Sequence, residues 1–224
     1  MKVGDFYSHK GGLKFIEENF PNELQEVLDA ICQLRAVDVL TKKSEEKTKP
    51  SLLFSPEAMN IVMKQYLSTL GWTEPKPGSK KGFCEPRIYL EGGREFREMD
   101  GIKNKVGLEI QFGKYAFMGY DIFSKMPIFA KQGLIVCGIE VVAMPSLIPH
   151  MSTGVSSFSQ IVMDMNARGV ADIDVPTLII GIDCTEESWL KVADKRERYK
   201  LNPQALIDSG EVSAGRKGAK PGPK

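Results

Sequence analysis

Apolar and polar residues alternate along positions 106–113, and a period of two is typical of a β-strand with one buried face. The apolar positions are Val106, Leu108, Ile110 and Phe112. Glu109 and Gln111 fall on the opposite side of the same strand. The polar run at 103–105 predicts a turn from a preceding short strand, which starts next to Asp100. The pattern therefore predicts a hairpin that brings the Asp100 carboxylate near Glu109 and Gln111, at the edge of a sheet.

Helical spacing of apolar residues predicts four helices. They cover residues 12–36, 56–70, 114–132 and 158–168. In the first helix, Asn22 is a suitable N-cap and Gln25 completes a capping box. Ser55 caps the second helix, whose first position is a proline. Pro127 breaks or kinks the third helix, because proline has no backbone N–H to donate.

Two apolar runs without alternation, at 134–142 and 176–182, predict strands that are buried on both faces. Together with the hairpin and the helices, they predict an α/β fold with a central mixed β-sheet flanked by helices. A length of 224 residues suits a single large domain with a sizeable core, which we place at residues 1–205. Residues 206–224 are rich in glycine and basic residues and are predicted to form a disordered tail.

Composition excludes several classes of protein. The four cysteines are far apart and there are only two histidines, which argues against a zinc site and a disulfide framework. Neither a phosphate-binding loop nor a dinucleotide-binding glycine motif is present. The first residues lack the apolar core of a signal peptide, and no apolar run reaches the length of a membrane span, so we expect a cytoplasmic protein without a membrane partner.

Net charge is +1, so charge alone does not indicate a nucleic-acid-binding protein. Lysines nevertheless cluster in residues 41–51, a charged segment without periodicity. Two interpretations of this segment remain open. It is either a solvated connection, which composition favours, or a mobile arm that contacts phosphate through residues such as Lys47 and Lys49.

The candidate chemistry lies in the predicted hairpin. Carboxylates at Asp100 and Glu109, with the backbone carbonyl of Ile110, offer the oxygen ligands that Mg²⁺ prefers. Carboxylate-held Mg²⁺ supports phosphodiester hydrolysis by neutralising charge on the phosphate. Gln111 could then orient the attacking water, and Lys114 could contact DNA just beyond. The alternative is a pair of exposed strand carboxylates with no catalytic role.

Residues 109–117, with Asp100 upstream, resemble the catalytic segment of type II restriction endonucleases of the BglII/BstYI group, and the likeness is greatest to BstYI. This segment is a variant of the PD-(D/E)xK nuclease motif in which a glutamine, here Gln111, replaces the usual lysine. The likeness runs through most of the chain. It includes Gly12-Leu13, Ser55-Pro56, Gly71-Trp72, Tyr120-Asp121, Gly138-Ile139-Glu140 and residues 178–182.

The resemblance implies a restriction-endonuclease-like core and a homodimer that cuts double-stranded DNA, since a palindromic site matches a two-fold axis. Members of the group cut purine-GATC-pyrimidine or AGATCT and leave four-base 5′ overhangs. Asp100, Glu109 and Ile110 would hold Mg²⁺, and Gln111 would complete the catalytic set. In restriction-modification defence, a cognate DNA methyltransferase acts on the same site.

The resemblance also implies DNA contacts. Lys114 follows the catalytic strand where family members contact bases, and Ser152 and Thr153 match a second base-contacting segment. Thr153 stands where BstYI has a serine, and this difference leaves the outer base pair of the site open. Two alternative functions are a structure-specific repair or recombination nuclease of the same superfamily and a non-catalytic DNA-binding module.

Overall fold

A computed structural model describes residues 1–90 and 93–213 of the chain. The strands are β1 Lys2–His9, β2 Lys42–Lys43, β3 Leu52–Leu53, β4 Glu74–Pro75, β5 Phe83–Cys84, β6 Arg87–Tyr89, β7 Phe96–Glu98, β8 Gly101–Lys103, β9 Val106–Gln111, β10 Cys137–Ala143 and β11 Thr177–Asp183. The helices are α1 Gly12–Asn19, α2 Pro21–Gln33, α3 Ala36–Val39, α4 Pro56–Thr69, α5 Tyr115–Tyr120, α6 Met126–Lys131, α7 Phe158–Arg168, α8 Glu186–Leu201 and α9 Pro203–Asp208. Within these described ranges, no helix is both long and apolar enough to cross a membrane.

The central sheet has five strands in the order β1-β11-β10-β9-β8. Strand β10 pairs in parallel with β9 and β11, whereas β1 and β8 run antiparallel to their neighbours at the two edges. Both predicted buried strands are present as β10 and β11, and every residue of β10 is buried. The predicted α/β class with a mixed central sheet is confirmed.

The two faces of the sheet bury different kinds of residue. One face packs on α1–α4 and α8 through a large apolar cluster. That cluster takes Val106, Leu108 and Ile110 from β9, with Phe112 directly after the strand, and thereby confirms the predicted alternation. The other face is covered by α5, α6 and α7, and it carries Glu109 and Gln111.

The predicted helix at 12–36 is wrong as a single element, because it is divided into α1 and α2, and α3 begins only at Ala36. Pro21 begins α2, and Phe20 before it has φ −140° and ψ 46°. A residue that precedes proline is disfavoured in the helical region, so the chain turns here. Consequently Phe20 is the N-cap of α2, and Asn22 and Gln25 do not form the predicted capping box.

The predicted helix at 114–132 is continuous but irregular. Between α5 and α6, residues Asp121–Lys125 form a π-helical turn in which the Met126 N–H bonds to the Asp121 carbonyl. Pro127 lies immediately after this turn, in the first turn of α6. The wider turn accommodates the proline without a break, because local π geometry relieves the clash with the preceding turn.

The predicted start of a disordered tail at residue 206 is wrong. Helix α9 extends to Asp208, and Leu206 and Val212 are buried in the large apolar cluster. The Ser213 N–H also donates to the Thr41 carbonyl at 2.9 Å. The remainder of the predicted tail, 214–224, lies outside the described residues.

Helix α1 approaches the backbone of β11 so closely that only glycine fits at its first position. A Cβ atom built on Gly12 would lie 2.3–2.5 Å from the backbone N, C and O atoms of Thr177. Backbone atoms of a central strand cannot yield as a flexible side chain does.

We therefore expect Gly12→Ala to lower the free energy of unfolding by about 2–3 kcal/mol, because overpacking forces α1 away from the sheet. Urea denaturation measures this loss. Gly133→Ala is the matched control: Gly133 has φ +73°, and an added Cβ meets no described heavy atom within 4 Å. The control should cost about 1 kcal/mol, the strain of a left-handed backbone alone. Equal losses in the two variants would contradict this account of Gly12.

Candidate active site

The β8–β9 hairpin brings Asp100 against the strand that carries Glu109. Its turn residues Asn104 and Lys105 have φ 46° and 68°, the left-handed conformation of a tight hairpin turn. Asp100 lies directly before β8, and its Oδ2 accepts a hydrogen bond from the Ile110 N–H at 2.8 Å. The predicted hairpin is confirmed, and its carboxylates lie beside the β8 edge of the sheet.

Glu109 is buried, with 3% of its surface exposed. Its Oε1 lies 2.7 Å from the Lys125 ammonium, which also lies 2.6 Å from Oδ1 of Asp121. Asp121 and Lys125 both come from the π-helical turn above this face of the sheet. The Glu109 carboxylate is therefore held by a buried ammonium from the covering helix.

The side-chain amide of Gln111 is fixed at both ends. Its Nε2 donates to Oδ2 of Asp121 at 3.1 Å, and its Oε1 accepts from the Gly113 N–H at 2.8 Å. These two bonds turn the amide nitrogen, rather than the oxygen, toward the acidic cluster. Gln111 thus donates to the cluster through its amide nitrogen, at Asp121.

A second lysine reaches the site from α4. The Lys64 ammonium lies 2.5 Å from Oδ1 of Asp100 and 3.2 Å from Oε1 of Glu85. Lys81 also binds Oε1 of Glu85, at 2.7 Å. With Ile110 on one oxygen and Lys64 on the other, the Asp100 carboxylate is held in a single orientation.

A further carboxyl group, Glu140 of β10, lies directly beside Glu109 in the parallel register. Glu140 is fully buried, and neither of its carboxyl oxygens has a hydrogen-bond partner among the described residues. A buried polar group without a partner costs free energy, so this position is costly to the fold.

Burial and crowding shift the pKa values of this cluster. Burial, followed by the charges of Asp100 and Asp121, raises the pKa of Glu109 well above its ordinary value. Burial likewise raises the pKa of Glu140, with Asp121 and Glu109 adding to the shift. Burial alone lowers the pKa of Lys125, but the carboxylates of Glu109 and Asp121 outweigh it, so the pKa of Lys125 is raised. Lys125 therefore stays charged.

The donor chemistry of this cluster fits a hard divalent cation. Oxygen atoms of Asp100, Glu109 and the Ile110 carbonyl are of the type that Mg²⁺ prefers. Carboxyl groups also outnumber the two lysines that face them, since Asp121 and Glu140 belong to the same cluster. Within the described part of the chain, no group of three or more acidic, histidine or cysteine side chains is arranged so that it could hold a metal by itself.

The two predicted base-contacting segments lie side by side. Lys114 is exposed at the start of α5 and forms a β-bridge with Val155. The Ser156 N–H donates to the Gly113 carbonyl at 3.2 Å. The loop that carries Ser152 and Thr153 is therefore attached to the end of the strand that carries Glu109.

The charged segment at 41–51 contacts this loop. Strand β2 within it pairs with β3, so the segment is part of a small hairpin rather than an unstructured connection. Lys42 donates to the Ser152 hydroxyl at 2.5 Å, and the Thr153 hydroxyl donates to Glu46 at 2.5 Å. Lys49 donates to the Met151 carbonyl, whereas Lys47 is exposed. A cavity of about 830 Å³ lies between this segment and Ser152.

Sequence reasoning missed Lys64, Glu85, Asp121, Lys125 and Glu140. Tyr120-Asp121 and Gly138-Ile139-Glu140 belong to the family resemblance, but no role was attached to them. Two signals in the sequence could have indicated three of them. Glu140 is a single charged residue within a long apolar strand, and Asp121 and Lys125 are four residues apart on a helix that directly follows β9.

Comparisons with known proteins give one consistent result. The family described as restriction endonuclease BglII/BglIII matches residues 4–182. A crystal structure of restriction endonuclease BglII complexed with a DNA 16-mer is similar, with a TM-score of 0.62 and 18% identity over 83% of this chain and 80% of that one. A crystal structure of free BglII has a TM-score of 0.55 and 20% identity over 83% and 82%. A search of curated proteins found no match.

The raised pKa of Glu140 predicts a pH-dependent cost to stability. The folded protein binds the Glu140 proton more tightly than the unfolded chain, so stability falls as the pH rises above the ordinary value of 4.5 toward the folded-state pKa. Glu140→Gln removes this titration. In EDTA, the variant should gain melting temperature relative to the wild type between pH 5 and pH 8, by about 2–4 °C for each kcal/mol relieved. Exposed Glu17→Gln should give a constant difference, and a constant difference for Glu140→Gln would refute the prediction.

Proposed function

This chain belongs to the BglII/BglIII family of restriction endonucleases, and from that membership we propose that it cuts double-stranded DNA at a palindromic, GATC-centred site with Mg²⁺. Membership makes it a type II site-specific deoxyribonuclease. The proposed site is purine-GATC-pyrimidine or AGATCT, cut to leave four-base 5′ overhangs. Of the solved structures that are similar, the BglII complex contains a DNA 16-mer, which supports double-stranded DNA as the substrate.

One observation carries the proposed active site. The Asp100 carboxylate is bound to the Ile110 N–H, which places it against the strand segment formed by Glu109, Ile110 and Gln111. Two carboxylates, a backbone carbonyl and an amide thus come from one hairpin, and this is the spacing that the PD-(D/E)xK motif requires. We assign Asp100, Glu109 and the Ile110 carbonyl as the groups that would hold the metal ion.

When bound, the metal ion neutralises charge on the phosphate and lowers the pKa of a water molecule. The protein's own groups position the reactants. Gln111 directs the nitrogen of its amide toward Asp121 in the acidic cluster, and it stands at the motif position that a lysine usually occupies. We propose that Gln111 donates to the attacking water or to the scissile phosphate. An amide donates without a charge, and so the positive charge near Glu109 comes from another residue.

We further propose that Lys114, Ser152 and Thr153 read bases and that Lys47 and Lys49 contact phosphates. The exposure of Lys114 and the adjacency of its strand end to the Ser152 loop support one continuous DNA-facing surface. Lysine can donate to guanine acceptors in the major groove. Within the family we propose the greatest likeness to BstYI, from which Thr153 departs at the position linked to the outer base pair.

A palindromic target implies two active sites related by a two-fold axis, so we propose a homodimer. We also propose that the protein acts in the cytoplasm, as part of a restriction-modification system. Its cognate DNA methyltransferase would modify the same site without having to bind the endonuclease.

Cleavage tests the function directly. Unmethylated plasmid incubated with Mg²⁺ should give discrete fragments, and sequencing of their ends should give four-base 5′ GATC overhangs. Glu109→Ala should slow cleavage by about a thousandfold, because it removes a carboxylate at the metal position. Specific DNA binding in Ca²⁺ should persist.

The control is Glu187→Ala, which removes an exposed carboxylate of α8 and should cut normally. Degradation without discrete bands would favour a structure-specific nuclease. Specific binding by the wild type without any cleavage would favour a non-catalytic DNA-binding module. Intact cleavage by Glu109→Ala would refute the site assignment.

A second prediction separates base contacts from phosphate contacts. Lys114→Met should weaken binding to the cognate site by about 1–3 kcal/mol and leave non-specific binding nearly unchanged. Lys47→Met should weaken both kinds of binding equally and reduce the salt dependence, because a phosphate contact carries no sequence information. Fluorescence titration of cognate and scrambled duplexes at several salt concentrations measures both effects. Equal losses from Lys114→Met on the two duplexes would contradict a base-reading role.

A further inference from the structure

Asp121 and Lys125 lie four residues apart on the π-helical turn that covers Glu109 and Gln111. We propose that they are the positioning residues of the nuclease centre: Lys125 fixes the Glu109 carboxylate and supplies the positive charge that Gln111 lacks, and Asp121 fixes the orientation of the Gln111 amide. This inference rests on the proposed function and deepens it, because it assigns how the catalytic strand is held.

The first step concerns the ion pair between Asp121 and Lys125, which faces the sheet rather than solvent. An ion pair four residues apart on a helix is ordinarily a solvent-exposed contact of little energetic value. Here the Lys125 and Asp121 side chains are only 13% and 3% exposed, since the turn lies over the sheet. Burying two charges is costly, so the pair is expected to make further bonds with the groups beneath it.

The second step concerns Lys125. Its ammonium lies 2.7 Å from Glu109 Oε1 and 2.6 Å from Asp121 Oδ1, so it bridges the helix and the strand. With Oε1 held by Lys125, the Glu109 carboxylate has one defined orientation, and its second oxygen is directed by that bond. Groups that hold a metal ligand in this way influence both metal affinity and activity.

The third step concerns Asp121. Its Oδ1 binds Lys125 and its Oδ2 accepts from Gln111 Nε2, so each oxygen has a separate function. An amide has two opposite ends, and only the acceptor at Asp121 together with the Gly113 N–H selects the orientation in which Nε2 faces the cluster. Replacing Oδ2 by an N–H group would remove that selection and leave the shape of the side chain unchanged.

The π-helical turn explains why both residues reach the sheet. A π turn contains an extra residue relative to the α-helix, and it shifts the following residues around the helix axis. Met118 before the turn and Ile122 within it pack into one apolar cluster, and Met126 and Phe129 after the turn pack into a second cluster on the same face. Asp121 and Lys125 fill the polar gap between these clusters.

Two single substitutions separate the two roles. Asp121→Asn keeps the size of the side chain and an acceptor for Lys125 but directs a donor at Gln111. Lys125→Met keeps the apolar stem and removes the ammonium, and Lys125→Arg restores the charge and the N–H donors. Lys131→Met is the control, since Lys131 is an exposed lysine at the end of the same helix.

Three measurements are made on the full chain: the single-turnover cleavage rate, DNA affinity in Ca²⁺, and Mn²⁺ affinity of the DNA-free protein by calorimetry. Asp121→Asn should slow cleavage by about 10–100-fold, with DNA and Mn²⁺ affinities within about threefold of the wild type. Lys125→Met should slow cleavage similarly and also weaken Mn²⁺ binding by about tenfold, because the orientation of Glu109 is lost. Lys125→Arg should recover much of both losses, and Lys131→Met should match the wild type.

The outcomes are distinguishable. A wild-type protein that makes no discrete cuts removes the proposed function and this inference with it. If the wild type cuts, and either Asp121→Asn or Lys125→Met cuts within about threefold of the wild-type rate, this inference alone is overturned. A folded Lys125→Arg variant as defective as Lys125→Met overturns the role of the charge. If Lys125→Met does not fold, the rate and metal affinity of Asp121→Asn decide the question, because that variant leaves the ion pair between Lys125 and Glu109 in place.

Discussion

The arrangement of this protein depends on the compensation of one buried acidic group, Glu109 on β9, the strand next to the β8 edge of the central sheet. An ionised carboxylate in such a position is costly unless it is paired and hydrogen-bonded. Lys125 compensates it from the covering helix, and Lys64 does the same for the neighbouring Asp100 from α4. Each lysine is in turn bound to a second carboxylate, Lys64 to Glu85 and Lys125 to Asp121.

Because one face of the central sheet carries these charged groups, the two faces are covered by different arrangements of apolar side chains. On the face without the site, one apolar cluster runs without interruption from the strands to α1–α4 and α8. On the other face, the apolar side chains form two smaller clusters, and the polar residues from β9, β10 and the helical turn lie between them. Burial of apolar area is the main source of stability, so the first face contributes most of the stability of the fold. The second face gives up part of that stability to hold a set of carboxylates in place, as functional sites commonly do.

Contacts within one hairpin could be predicted from the sequence, whereas contacts that depend on how separate elements pack could not. Strand alternation and a two-residue turn relate Asp100, Glu109 and Gln111 within one hairpin, and a period of two is enough to place them together. The partners Asp121 and Lys125 depend on a π-helical turn and on how that helix lies over the sheet. Their four-residue spacing is visible in the sequence, but it does not show that the pair faces the sheet. The division of the first helix was in principle readable, because Pro21 restricts the residue before it. The burial of Val212 was not, since it depends on packing against elements that are distant in the chain.

Short contacts at the end of β9 also connect the residues proposed to read bases with those proposed to cut the DNA. Gln111 ends β9, the next residues are Phe112 and Gly113, and the Gly113 backbone bonds both the Gln111 side chain and the Ser156 N–H. Lys114, proposed to read bases, thus follows the end of the proposed catalytic strand by three positions, and the segment that carries Ser152 and Thr153 is attached to the same strand end through the Ser156 N–H. We therefore expect a shift of Lys114 or of the 152–156 segment on contact with DNA to move Gly113, and with it the group that orients the Gln111 amide. The proposed base contacts and the placement of the proposed catalytic amide are in this way coupled through the backbone of Gly113.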